Sequence, residues 1–151
     1  MPLTKAREMM EEALVLAKGA AAAGEVPVGA IVVKDGQIIG RGANRPVASH
    51  DPTAHAEIIA IREAATFLGN DRLVGCDLWV TLEPCAMCAG AIAHARIGRL
   101  YYGADDPKGG AVAHGARLFE QPTVHHKPDV YAGIAADEAA NLLRRFFAER
   151  R

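Results

Sequence analysis

The chain has 151 residues, 50% hydrophobic and 23% charged, which suits one domain with a sizeable core and excludes a disordered or fibrous chain. Its 17 basic and 18 acidic residues leave a formal charge of −1, so any nucleic-acid role has to rest on local clusters rather than on a global attraction. Three cysteines are too few for a disulfide scaffold, and Cys85 and Cys88 lie three apart, which points to a reduced intracellular chain whose cysteine pair binds metal or does redox work.

Lys5, Arg7, Glu8, Glu11 and Glu12 interrupt the apolar residues near the start, which argues against a secretory leader. No stretch reaches the roughly 18 uncharged apolar residues of a membrane-spanning helix. The expected location is the cytoplasm, with no membrane partner. From Leu3, the residues Ala6, Met9, Met10, Ala13, Leu14 and Ala17 follow helical spacing, with Gly24 as the stop. Val28 to Val33 is a β-branched run, Asp35-Gly36 signals a hairpin, and Gln37 to Gly42 returns, giving two antiparallel strands. Thr53 to Leu68 reads as a second helix, with Thr53 as N-cap and Gly69-Asn70 past its end. Asp77 to Leu82 is a strand, and Pro84 opens a helix through about Ala95 that is apolar on nearly every side, so it packs deeply or against a partner. Arg99 to Gly103 is the next strand. Ala104 to Lys127 reads as loop with a short helix near Ala116–Phe119. Asp129 to Gly133 forms a last strand, and Asp137 to Arg151 a helix with acids first and arginines last, as the helix dipole prefers. This alternation predicts an α/β domain spanning residues 1–151, with a mixed sheet covered on both faces.

The chemistry gathers in two short runs, His55-Ala-Glu57 and Pro84-Cys85-Ala-Met-Cys88. Two cysteines three apart at a helix start can turn both sulfurs to one point, and the positive helix end favours their thiolates. With a neutral His55 they fill three corners of a tetrahedron and leave one open, the pattern of a catalytic rather than a structural zinc site. Glu57 lies two residues from His55, which in a regular helix separates the side chains by roughly 200°. Both serve one site only if the helix end points at it; in that geometry Glu57 takes a proton from a zinc-activated water and returns it to the reacting ring.

H-x-E followed by P-C-x-x-C is the signature of the zinc-dependent nucleobase and nucleoside deaminases. The runs Glu25-Val-Pro-Val-Gly-Ala, Asn44-Arg-Pro, His50-Asp-Pro-Thr-Ala-His-Ala-Glu57, Thr81-Leu-Glu-Pro-Cys-Ala-Met-Cys-Ala-Gly90 and Arg96-Ile-Gly-Arg99 extend the match. With Asp106-Pro-Lys-Gly-Gly-Ala111 and the ending Asp137-Glu … Leu-Arg-Arg-Phe-Phe147, nearly the whole chain resembles the bacterial tRNA-specific adenosine deaminases of the cytidine deaminase superfamily. The resemblance implies a three-layer α/β/α sandwich with a mixed five-stranded sheet, a homodimer, one Zn2+ per subunit and no organic cofactor. It implies deamination of adenosine to inosine at the wobble position of a tRNA anticodon stem-loop. Carried over by position, His55, Cys85 and Cys88 hold zinc, and Glu57 shuttles protons. Asn44 bonds the flipped adenine, and Asp106 and Lys108 touch the surrounding RNA. Ala113 to Lys127 has no clear counterpart, and the Lys-rich tail of some members is missing.

Each residue also has a plainer structural reading. Cys85 and Cys88 can be buried thiols or a structural clip, Glu57 a first-turn acid, Asn44 a turn residue, and Asp106 and Lys108 solvated loop charges. Cys76 reads as a free core thiol. His94, His114, His125 and His126 match no ligand spacing, and His50 belongs to a loop. The terminal cluster Arg144, Arg145, Arg150 and Arg151, interleaved with Phe146 and Phe147, either contacts RNA or completes the helix end with the rings packed inward. A free nucleobase or nucleoside deaminase shares the two central motifs, and a non-catalytic structural zinc module would need a fourth protein ligand.

Overall fold

The first helix turns a face of Met10, Ala13, Leu14 and Ala17 inward, all fully buried, as the helical spacing requires. In the computed structural model, which describes residues 3–150, it runs Leu3–Ala22 (α1). Arg151 therefore lies outside the described residues, as does the expected helix end there. Gly24 turns the chain at a φ of 83° into β1 (Gly29–Lys34). Asp35 and Gly36, with φ of 51° and 77°, make the tight turn to β2 (Gln37–Ala43) that a right-twisted hairpin favours.

A one-turn helix, α2 (Pro46–Ser49), follows, and the sequence pattern gives no sign of it. Its amides from Val47 and Ala48 donate to the buried carboxylate of Glu25 at 3.2 and 2.8 Å, and His50 closes it with a φ of 50°. The helix expected from Thr53 begins only at Ala56 and runs to Leu68 (α3), because Thr53 gives its hydroxyl to Asp51 at 2.7 Å instead of to the helix. Then come β3 (Asp77–Leu82), α4 (Ala86–Ala95), β4 (Arg99–Ala104), a 3-10 turn at Leu118–Glu120, β5 (Asp129–Tyr131) and α5 (Ala136–Ala148). Pro84 does not sit inside α4, because Cys85 still has extended backbone and forms the cap.

The five strands lie in the order β2-β1-β3-β4-β5. β1 is antiparallel to β2 and β3, whereas β3, β4 and β5 are parallel, so the sheet is mixed as expected. Period-two alternation sends Ala30 and Val32 of β1 to one face, under α3 and α4, and Ile31 and Val33 to the other, under α1 and α5. This is the three-layer α/β/α sandwich. Small residues set the layer spacing: Ala56, Ala60 and Ala64 of α3 are fully buried against Gly40 and Gly42 of β2. The core departs from its aliphatic composition at Trp79, fully buried and stacked on Tyr101 with centroids 3.8 Å apart. No described helix is long and apolar enough to cross a membrane.

A Cβ on Gly42 would overlap the carbonyl of Ala56 and stand 2.8 Å from the Ala60 nitrogen, so α3 would have to lift. Overpacking of this kind costs about 1–3 kcal/mol, and about 2–4 °C of melting temperature per kcal/mol is expected at this size. Gly42→Ala should therefore melt several degrees lower, while Gly19→Ala, helical and with nothing within 4 Å of its Cβ, should melt at or above wild type. Equal melting temperatures for the two variants in a calorimetric scan would contradict this packing.

Candidate metal centre

Two helix N-termini point at one spot. His55 is the N-cap of α3 and Cys85 the N-cap of α4; both have extended backbone, and neither side chain caps its own helix. Their side chains instead meet in front of the first amides and positive ends of the two helices. Cys88 joins them from the first turn of α4. The Cys88 and Cys85 sulfurs lie 3.4 and 3.7 Å from His55 Nδ1. Zinc with bonds of about 2.3 Å to sulfur and 2.0 Å to nitrogen requires a tetrahedral S···N edge of about 3.5 Å, so the donors have the right spacing. Cys88 is buried while His55 and Cys85 are half-buried, which leaves one side accessible. Among the described residues no fourth donor joins this cluster, so the arrangement has the three-ligand form with an open position.

The proton distribution fits a cation. Hydrogen bonds from Cys88 and His55 hold the Cys85 thiol down to about 4, although burial opposes them. Cys88, donating to Cys85 and buried, is pushed far up. The hydrogen bond to Cys85 raises His55 against the opposing effect of burial. One thiolate is thus stable on its own, and a second requires a positive charge between the sulfurs, which a divalent metal supplies.

Glu57 stands beside this group, on the first turn of α3 and 4% exposed. Burial is the main reason its carboxyl is raised to about 7; the Cys85 charge adds to the rise, while its own amide, His55 and Cys88 oppose it. The 200° separation expected of a regular helix does not arise, because His55 lies outside the helix at the cap. A buried carboxyl that titrates near neutrality can accept and return a proton.

Asn44, just past β2, accepts the Ala56 amide through Oδ1 at 2.8 Å. It therefore caps α3 in place of Thr53 and fixes the end that carries His55 and Glu57. Asp106 and Lys108 follow β4, where Asp106 Oδ1 accepts the amides of Lys108 and Gly109 at 3.3 and 3.0 Å. They line a groove of about 840 Å³ together with Leu82, Leu143, Phe147 and Arg150. The three metal donors and Glu57 are not among its lining residues. α5 is thereby brought beside the Asp106 loop.

The terminal cluster divides between its two readings. Phe146 is buried, and Arg150 donates to its carbonyl at 3.2 Å while stacking 3.6 Å over its ring. Arg144 donates to Asn141. Phe147, at 47% exposure, faces the groove. Cys76 is a free buried thiol, raised chiefly by burial. His94 packs against His125, with ring centroids 4.4 Å apart, and His126 Nε2 bonds the Ile97 carbonyl at 2.8 Å.

The residue that pattern reading missed is Glu83. Its carboxylate is buried and accepts from the Asp106, Val112, Ala113 and His114 amides and from His114 Nδ1. Burial opposes its charge, but these donors, the Asp106 amide first, hold its pKa below the usual glutamate value. The only sequence signal was an acid wedged between an apolar strand and Pro84.

The cytidine and deoxycytidylate deaminase zinc-binding region matches residues 3–104. A tRNA-specific adenosine deaminase of Agrobacterium fabrum is 60% identical over 142 residues, covering 94% of this chain and 93% of that protein. A structure solved in a study of A-to-I editing at the wobble position of transfer RNA superposes with a TM-score of 0.89 at 59% identity, covering 90% of this chain and 99% of that one. A guanine deaminase structure from Bacillus subtilis is more distant, with a TM-score of 0.65 at 35% identity over 95% of this chain and 92% of that one. Since the likeness runs from the two ligand motifs through nearly the full length, the chain belongs to the zinc-dependent cytidine and deoxycytidylate deaminase family, in the branch of the tRNA-specific adenosine deaminases.

Proposed function

We propose that this chain hydrolytically deaminates adenosine to inosine at the wobble position of a tRNA anticodon, as a single-domain cytoplasmic enzyme. The observation that carries the reading is the trio His55, Cys85 and Cys88 at tetrahedral spacing, accessible on one side, with buried Glu57 next to it. His55, Cys85 and Cys88 would hold a zinc ion, which would supply Lewis acidity and an activated water near neutral pH. Glu57 takes the proton from the attacking water as the C6–O bond forms. It gives that proton to the ring nitrogen, then takes the proton of the added hydroxyl and passes it to the amine as the C6–N bond breaks, so that adenosine and water give inosine and ammonia. Its titration near neutrality suits both transfers. With its carbonyl committed to Ala56, Asn44 has its amide hydrogens left for the adenine edge.

The RNA contacts fall to the groove beside Asp106, where Lys108 and Arg150 supply local positive charge and Phe147 an exposed ring. Such a groove compensates for a net charge of −1 by neutralising phosphates locally and stacking splayed bases. A second copy of the chain is the proposed partner of α4, whose Ala86 and Met87 are exposed on a helix apolar but for His94.

The first test is ammonia release from an anticodon stem-loop by the zinc-loaded wild type. Better turnover of a free base or nucleoside than of any stem-loop would favour the free-substrate reading.

Cys88→Ala should lose zinc, because two donors remain where three are needed. A full zinc equivalent in that variant, by metal analysis, would remove Cys88 from the ligand set.

Glu57→Gln should fold, keep zinc and bind RNA, yet react about 10²–10⁴ slower, the usual worth of a general acid–base. Wild-type turnover in this variant would leave Glu57 without a chemical role.

Lys108→Gln should weaken stem-loop binding and lower the salt slope by about one phosphate contact, and Phe147→Ala should cost about 1–3 kcal/mol of stacking. Unchanged affinity and salt slope in both variants would move the RNA off this groove.

A further inference from the structure

Glu83 makes the densest set of polar contacts to any one side chain among the described residues, and the zinc and proton chemistry does not use it. Its side chain is fully buried. Oε1 accepts the Asp106 amide at 3.0 Å and His114 Nδ1 at 2.7 Å. Oε2 accepts the amides of Val112, Ala113 and His114 at 3.1, 2.9 and 3.1 Å. One residue further on, the Pro84 carbonyl accepts the Ala111 amide at 2.9 Å. Gly110 passes so close that a Cβ there would overlap the carboxylate. Glu83, Asp105 and His114 lie close enough together to suggest a second metal site, yet Glu83 faces five donors and Asp105 accepts the Tyr102 hydroxyl at 3.1 Å. A ring of N–H donors around a carboxylate selects an anion, and here the anion is the protein's own side chain.

The consequence lies in what the two ends of this clamp carry. Glu83 and Pro84 lead directly into Cys85 and α4. The loop they hold, 105–114, carries Asp106 and Lys108 on the groove. We infer that Glu83 is a positioning residue that locks the 105–114 loop against the Cys85 end of α4 and so sets the distance between the RNA contacts and the reacting base. This rests on the RNA-editing reading above. The zinc ligands and Glu57 lie at the caps and first turns of α3 and α4, outside the loop, so loosening the clamp acts on substrate engagement before chemistry.

Glu83→Gln replaces one acceptor oxygen by an NH₂ group that faces protein N–H donors. His114→Ala is the milder change, since it keeps all four backbone donors and removes only the ring, whose side chain is 33% exposed. The measurements are zinc content, kcat and KM on an anticodon stem-loop, and the rate of tryptic cleavage after exposed Lys108. Glu83→Gln should keep one zinc per chain and a kcat within about threefold of wild type, while its KM rises about tenfold or more, as a misplaced contact allows. Cleavage at Lys108 should speed up in parallel. His114→Ala should shift KM and cleavage the same way by less, and it carries the test alone if Glu83→Gln does not fold. Unchanged KM and cleavage in the folded variants would overturn the inference, as would a loss confined to zinc and kcat, which would make Glu83 a support of α4 only. A wild type inactive on every stem-loop would fail the RNA-editing reading instead, and the cleavage rates would still report on the clamp.

Discussion

Two helices of this sandwich begin at the same place, and the rest of the site depends on that convergence. An N-cap is ordinarily filled by Ser, Thr, Asp or Asn, whose side chain bonds the first amides, and losing such a cap costs about 0.5–2 kcal/mol. Here the cap positions of α3 and α4 are occupied by His55 and Cys85, which turn away from their own helices toward each other. Asn44 makes up part of the loss by capping α3 from the end of a neighbouring strand. What the site gains is two positive helix ends beside a thiolate, and a candidate metal-binding trio whose backbone is held on rigid elements rather than on loops.

Three buried glutamates show how environment sorts one residue type into different roles. Glu25 accepts two amides from α2, and Glu83 accepts four amides and an imidazole. In both, the burial of the carboxyl is compensated by backbone N–H groups. Glu57 is likewise inaccessible, but desolvation dominates over the hydrogen bond from its own amide, and the carboxyl rises to about 7. Glu83 moves the opposite way although burial opposes its charge as well. The number of N–H groups aimed at each carboxylate is one part of the difference, and it separates an anchored carboxylate from one that titrates near neutrality.

The loop after β4 links these roles. Its Asx-type turn at Asp106, the Glu83 contacts and the Pro84–Ala111 bond place the groove next to α5. Phe147 is thereby available for contact while Phe146 is committed to the core, although the two are adjacent in sequence. A helix that is amphipathic by period divides neighbouring aromatics between core and solvent in this way.

By itself, the sequence determined the order of the long helices and the strands, the mixed sheet and which residues are the candidate donors. Periodicity follows from which face is buried, and ligand chemistry resides in residue type and spacing, both of which are local. Only the tertiary structure decided which residue caps α3, because the acceptor on Asn44 comes from another element, twelve residues before Ala56. It alone decided that Glu57 and His55 share one site, because that required His55 to leave the helix. It alone exposed Glu83, since a carboxylate satisfied by backbone amides leaves no side-chain pattern to read: every residue except proline has an N–H to offer, and only the folded path of the chain chooses which of them meet.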